Sequence, residues 1–392
     1  MEERIGLFRE YDSGAFSVSE LCARYGIARQ TFYAWKRRRD SGGERWFEAR
    51  SHATANCPHR TADEIAAALI AVRRQFPSFG PKKILARLRR ERPDLAWPAA
   101  STAGDILKRA GLVAARRRRR RALGQGEVVV PATAPNDEWA IDFKGWFRTR
   151  DGMRCDPLTI TDTASRYLVE VRIVEPTWAG VRCALERVFA RAGLPKAMRS
   201  DNGAPFGATG AGGLSALAVW WLRLGIEPRY TRPASPQDNG RHERMHKTLK
   251  ADTSRPAAAS LAEQQARFDR FRQHYNEERP HEALDQVPPA ERWQPSQRAL
   301  PARLPQPWYD ADHQVRRVRP SGVIKWRGAL VFIGEALAGE LVGLAEHKGG
   351  GHVVRFCHRD LGLIDRAGRF LRFAPPRARL RAASQAAVTA EQ

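Results

Sequence analysis

Hydrophobic and polar positions change period several times along the chain, and each change predicts a different kind of element. From Ser17 the pattern is helical. Ser17-Val18-Ser19-Glu20 places Ser and Glu three apart, the spacing of a capping box in which each side chain satisfies a backbone donor at a helix start. Leu21, Cys22 and Tyr25 follow, Gly26 permits a turn, and Ile27 to Lys36 reads as a second helix. Ile27, Phe32 and Trp35 can face a core while Arg29, Gln30 and Tyr33 project outward. This is a helix-turn-helix pattern, in which outward residues near the second helix's start meet base edges in a major groove. A plain helical hairpin with solvated polar residues would show the same pattern.

A second helical unit runs from about Thr61 to Val113. Thr61-Ala62-Asp63-Glu64 is another capping box, and Ile65, Leu69, Val72 and Phe76 form a helical stripe. Phe79 to Ile84 opens a second helix, and Ser101 to Ala110, closed by Gly111, a third. From Trp139 the period shifts to that of strands. Trp139 to Phe147 reads as one strand, Asp151-Gly152 as a hairpin turn, and Pro157 to Thr161 and Tyr167 to Val174 as the next two strands. Then come a helix from Trp178 to Ala192, a strand at Ala197 to Arg199, a helix from Leu214 to Leu224 and a strand at Ile226 to Tyr230. Three strands in hairpin succession followed by alternating helix and strand predict a mixed sheet with helices on both faces. Beyond Pro301, short apolar runs begin near Val315, Ile324, Leu330, Leu341, Val353 and Leu361, with glycines between them. They predict a small β-barrel.

Charge narrows the partners. Sixty-seven basic against 43 acidic residues give a formal charge of +24, which calls for a polyanion. No apolar run reaches transmembrane length and no signal peptide is read, so nucleic acid is expected rather than a membrane. Arg116, Arg117, Arg118, Arg119, Arg120 and Arg121 form an unbroken run between the helical units and the α/β region. Such a run repels itself unless phosphates neutralise it, and it would supply affinity without sequence specificity; the bland alternative is a solvated linker. Cys22, Cys57, Cys155, Cys183 and Cys357 show no pairing pattern and read as reduced thiols. His52, Cys57 and His59 lack the second cysteine of a zinc site, so that stretch reads as a linker.

Three carboxylates stand where structure alone does not explain them. Asp142 interrupts strand formers, Asp201 ends an apolar segment before Asn202-Gly203, and Glu243 opens a basic helix. Brought together they would repel one another unless divalent cations neutralised them. The phrases are Trp139-Ala140-Ile141-Asp142-Phe143-Lys144, Ser200-Asp201-Asn202-Gly203 and Pro236-Gln237-Asp238-Asn239-Gly240-Arg241-His242-Glu243-Arg244-Met245-His246-Lys247, followed by Tyr275-Asn276 and Arg279-Pro280-His281. In that order they resemble the DDE core of retroviral integrases and bacterial transposases, and most nearly the insertion-sequence transposases of the IS3 and IS481 groups.

The resemblance covers about Ser17 to Asp365. It implies N-terminal all-α helix-turn-helix units, a central RNase H-like α/β core of the retroviral-integrase kind, and a C-terminal barrel. The expected boundaries are 1–50 and 60–115 for the helical units, 116–135 for a basic linker, 136–298 for the core, 308–372 for the barrel and 373–392 for a disordered tail. It also implies two Mg²⁺ ions, with Mn²⁺ as a substitute, held by Asp142, Asp201 and Glu243 for hydrolysis at transposon ends and transfer of the 3′-hydroxyl to target DNA. Double-stranded DNA would be the partner, a homo-oligomer the working form, and the bacterial cytoplasm and nucleoid the location. Lys247 and Lys250, at i+4 and i+7 from Glu243, would meet DNA phosphates. His246 is expected at a surface facing solvent or DNA, and Asp162 to cap a turn.

One spacing departs from the family. Forty-one residues separate Asp201 from Glu243, against about thirty-five usually, and the stretch from Gly207 to Gly213 reads as a lengthened surface loop. Glu227 is the rival third carboxylate, but it lies in a strand and lacks the basic helix. Two other functions fit less well: a transposase-derived regulator without catalysis, which loss of a carboxylate would favour, and a nuclease that cuts without strand transfer, which would need neither the helical units nor the barrel.

Overall fold

The computed structural model describes residues 2–42, 46–48, 60–113, 132–208, 211–231 and 240–373. The arginine run at 116–121, the positions of His52, Cys57 and His59, the residues 235–239 that open the third motif, and the expected tail lie outside the described residues. The chain divides into two compact units, 1–62 and 63–392.

The first unit contains α1 (Glu2–Asp12), α2 (Val18–Arg24) and α3 (Arg29–Asp40). The capping box forms as its spacing requires: the Ser17 amide donates to Glu20 at 2.7 Å and the Glu20 amide donates to Ser17 Oγ at 3.3 Å. Leu7, Phe8, Leu21, Cys22 and Phe32 make the core, with Phe8 stacked on Phe32 at 5.2 Å. Arg29, Gln30 and Tyr33 are exposed at the start of α3.

The second unit begins with α4 (Asp63–Gln75), α5 (Pro81–Glu91) and α6 (Ala100–Arg109), packed around Leu69, Phe79, Ile84, Leu85 and Leu107. Its α/β part holds a five-stranded sheet in the order β5-β4-β1-β6-β7, formed by β1 (Glu138–Phe143), β4 (Pro157–Asp162), β5 (Leu168–Ile173), β6 (Ala197–Ser200) and β7 (Glu227–Tyr230). The first three pair antiparallel, while β1, β6 and β7 run parallel. The anticipated long strand from Trp139 stops at Phe143. A separate hairpin follows, made of β2 (Phe147–Arg148) and β3 (Arg154–Cys155).

Alternation along β1 sorts its side chains between two faces. Trp139 and Ile141 enter a core shared with α7 (Trp178–Ala192) and α8 (Ala216–Arg223), whereas Ala140 and Asp142 face the other way. That second face is covered by α9 (Gly240–Thr253) and α10 (Leu261–Glu277). α10 also closes the free edge of β5: Asn276 accepts from the Leu168 amide and donates to its carbonyl, and Gln265 does the same for Ile173 and Val171. An exposed edge would otherwise present unpaired backbone groups. The helical part docks on α10 through Phe76, whose ring stacks on His274 at 4.7 Å, and through Arg87, paired with Glu278 at 2.7 Å.

The C-terminal part is β8 (Gln314–Arg317), β9 (Val323–Trp326), β10 (Ala329–Phe332), β11 (Leu341–Glu346), β12 (His352–Phe356), β13 (Arg359–Ile364) and β14 (Phe370–Arg372). They form a five-stranded antiparallel sheet, β14-β13-β12-β11-β8, and a two-stranded β9–β10 hairpin. Among the described residues no barrel closes, which corrects the expectation for this region. Closure is not needed, because the sheet's apolar face is already covered. Ile324, Trp326 and Val331 of the hairpin and Ala218, Val219 and Leu222 of α8 complete one core with Val342, Leu344, Val354 and Phe356. Leu214, just past the stretch read as a surface loop, joins that core.

Candidate active site

Register leads two of the three singled-out carboxylates to the same end of the sheet. β1 and β6 pair in parallel with Glu138 opposite Ala197, Trp139 opposite Met198 and Ala140 opposite Arg199. The pairing ends at Ala140 and Arg199, two residues short of Asp142 and Asp201, which lie past it at the same C-terminal end of the two strands. Asp142 follows the parity of Ala140 and so belongs to the α9 face. Asp142 is half-buried and Asp201 exposed. The Gly203 amide donates to the Asp201 carboxylate at 3.1 Å, holding it at the turn.

α9 lies over this face with His242, Met245, His246 and Leu249 buried and Glu243, Lys247 and Lys250 exposed. The two sets follow the i, i+3, i+4, i+7 and the i, i+4, i+7 spacings of helix faces. His246, expected at a surface, is therefore a buried residue. It belongs to the stripe that seats α9 on the sheet, one turn from the equally buried His242.

Thr159 on β4 ties these parts together. Its hydroxyl lies 3.0 Å from the Asp142 carbonyl oxygen and 2.7 Å from Nε2 of both His242 and His246. A hydroxyl has one proton to give. Given to the Asp142 carbonyl, it leaves the oxygen to accept from both rings, so each histidine carries its proton on Nε2. Nδ1 of His242 then accepts from the Thr161 hydroxyl at 3.0 Å. Burial, followed by the nearby Arg199, pushes His242 down to about 3; burial, His242 and Lys144 push His246 down to about 2. Both rings are neutral at neutral pH. Ligand atoms of Asp142, His242 and His246 all lie within 4.8 Å of one another, a grouping that Asp201 and Glu243 do not share. Lys144 stands at the rim. Burial and Lys250 lower its pKa, and Asp142 opposes them.

Glu227 is elsewhere. It opens β7 opposite Ala197, at the other end of the parallel strands from Asp201. His358 lies 2.7 Å from its carboxylate and Arg359 donates to it, so it fastens the C-terminal sheet to the core. Asp162 caps its turn, accepting from the Ser165 amide at 2.7 Å and hydroxyl at 2.6 Å. The buried Glu138 carboxylate is paired with Arg199 at 3.3 Å and Arg229 at 2.9 Å.

Known proteins match this chain in the regions just described. Two family models described as "Integrase core domain" match residues 132–236 and 224–289, and one described as "Helix-turn-helix domain" matches residues 3–49. An uncharacterized 39.2 kDa protein of insertion element IS476 from Xanthomonas euvesicatoria is 26% identical over 247 residues, covering 62% of this chain and 68% of the relative. An uncharacterized 31.7 kDa protein of insertion element IS407 from Burkholderia multivorans is 28% identical over 239 residues, covering 60% of this chain and 82% of the relative. Among solved structures, the HTLV-2 integrase catalytic core domain in complex with magnesium is 14% identical, with a TM-score of 0.33, over 41% of this chain and 97% of that one.

Proposed function

From the integrase core domain that this chain carries, and its resemblance to DDE transposases of insertion elements, we propose that it cuts the ends of such an element and joins them to target DNA by metal-dependent phosphoryl transfer. The observation that supports the reading is the parallel β1–β6 pairing, which leads Asp142 and Asp201 to the same C-terminal end of the sheet. The donor set suits a hard cation. Carboxylate oxygens are the ligands Mg²⁺ takes, and the two nearby imidazoles are committed to Thr159 and Thr161. Asp142 and Asp201 would hold the ions with Glu243, which lies one residue from the buried His242 at the same end of α9. When bound, two Mg²⁺ would acidify the attacking water or hydroxyl and stabilise the leaving 3′-oxygen.

The chain's own residues supply the rest. Asp142 is held on a strand of the sheet and Asp201 at a turn by the Gly203 amide, which would orient them before substrate arrives. Lys247 and Lys250 lie on the exposed face of α9, where ammonium groups would grip phosphates next to the cut. Arg29, Gln30 and Tyr33 on α3 would read the end's sequence in the major groove. A homo-oligomer follows from the task, because two ends must be joined and each protomer brings one centre.

The test uses the full-length chain, duplexes carrying the sequences that flank its gene, and Mg²⁺. Asp142→Asn, Asp201→Asn and Glu243→Gln should each abolish cleavage and joining while leaving duplex binding within about twofold, whereas Glu227→Gln should still cut. Nicking by Asp201→Asn in Mg²⁺ would show the assignment to be wrong. Binding of the ends without cleavage in either Mg²⁺ or Mn²⁺ would identify a regulator instead.

A further inference from the structure

The β2–β3 hairpin leaves the central sheet just past Asp142 and turns two unlike faces outward and inward. Phe147 and Cys155 pack into the core beneath α9 and α10. Trp146 is 57% exposed and Met153 54% exposed on the outside. Guanidiniums flank the Trp146 ring, Arg154 at 5.1 Å and Arg148 at 5.9 Å from its centroid. Arg148 and Arg154 are also register partners, directly opposite each other across the two strands. Like charges at that position destabilise a hairpin. Arg154 is offset by a two-pronged pair with Asp156 at 2.8 and 2.9 Å, while Arg148 donates to the Gly152 carbonyl. Arg150 adds a third exposed arginine at the tip.

We propose that this outer face is a subsite for an unpaired DNA base beside the cleavage centre, with Trp146 as the stacking platform and Arg148 and Arg150 as its phosphate contacts. The inference rests on the reading that the core acts on DNA, and adds where a separated strand would lie. A polyanion relieves the Arg148–Arg154 opposition, and a flat ring edged by cations matches a base with its phosphates. An intact duplex hides its base faces, so only an unpaired nucleotide can use the ring. Reach sets the place. Trp146 follows Asp142 by four residues, which extended chain spans in at most about 14 Å. At 3.4 Å per nucleotide of strand, that is at most about four nucleotides from the scissile phosphate.

The experiment needs no cleavage. Without divalent metal, the full-length chain is titrated with two labelled duplexes of one sequence, one fully paired and one with its last four base pairs mismatched. The wild type should prefer the frayed duplex. Trp146→Ala should bind it about tenfold more weakly with little change for the paired one, and Trp146→Phe should keep most of the preference. Arg148→Gln with Arg150→Gln should weaken both duplexes alike and flatten the salt dependence. An unchanged preference in Trp146→Ala overturns the proposal. So does a change confined to oligomeric state by gel filtration, which would make the ring a subunit contact. A chain that cuts normally without the preference fails here alone, whereas one that shows the preference yet never cuts fails the catalytic reading alone.

Discussion

Removing the Thr159 hydroxyl tests the account of how α9 is seated. Thr159→Val keeps a branched side chain of similar shape, so the buried site is not emptied. What disappears is one oxygen that serves three partners: the Asp142 carbonyl and Nε2 of His242 and His246. Both rings are buried, so each loses an acceptor that water cannot readily replace. An unsatisfied buried donor costs roughly 1–3 kcal/mol, giving roughly 2–6 kcal/mol for the pair. Thr159→Ser keeps the oxygen and removes one methyl, worth about 0.8 kcal/mol. Urea unfolding followed by tryptophan fluorescence should therefore rank wild type above Ser and Ser well above Val. Cleavage should fall further in Val than in Ser at a temperature where both are folded, because the same oxygen anchors the backbone at Asp142 and the helix that bears Glu243. A Val variant within about 0.5 kcal/mol of wild type, or one more stable than Ser, would refute the hydrogen-bond assignment.

Two more expectations can be measured on the same protein. Burial is the leading cause that lowers His242 to about 3, His246 to about 2 and His281 to about 3. Each folded pKa lies below the unfolded value of about 6.5, so the unfolded chain takes up protons first. The stability these rings protect is whole above about pH 6.5 and is lost as pH falls toward 3, each contributing a slope of about 1.4 kcal/mol per pH unit within that window. Urea midpoints that stay flat from pH 6.5 to 5 would contradict the burial of these rings. Replacing Arg116 to Arg121 with a Gly/Ser linker should weaken binding to specific and random duplexes by similar factors, lowering the slope of log K against log salt by about 0.9 for each arginine engaged. An unchanged slope would mean the run is idle, and selective loss of end recognition would mean it enters a groove.

Legibility followed the kind of signal each feature carries. Period and caps disclose α2, α3 and α7, and an Asp among strand formers discloses Asp142, though not the face of β1 that holds it. α1 repeats Ile5, Phe8 and Tyr11 at helical spacing, but its charged opening masks that stripe in the sequence. β14 is three residues long and carries no pattern of its own. His246 was placed at a surface because a histidine on a basic helix looks solvated; a buried polar side chain depends on a partner from another element, here Thr159, 87 positions away. The spacing His242, Met245, His246, Leu249 could have revealed the stripe had histidine been counted among inward residues. The open C-terminal sheet was unreadable for a similar reason. What covers it is partly α8, whose apolar residues look like an ordinary core helix until both of their partners are known.

α8 is one short helix belonging to two cores. Leu217, Trp220 and Trp221 serve the central sheet, while Ala218, Val219 and Leu222 serve the C-terminal one. Arg223 adds a clasp from the same helix to Glu340, at 2.9 and 2.7 Å. The boundary along the polypeptide near Pro301 is thus not a boundary of the folded object. A gene cut there would leave one fragment with an uncovered sheet and the other with a bare apolar helix face, so shuffling of the C-terminal part between elements is restricted to exchanges that preserve the shape of α8. Inheritance of the two parts is coupled by a helix of eight residues.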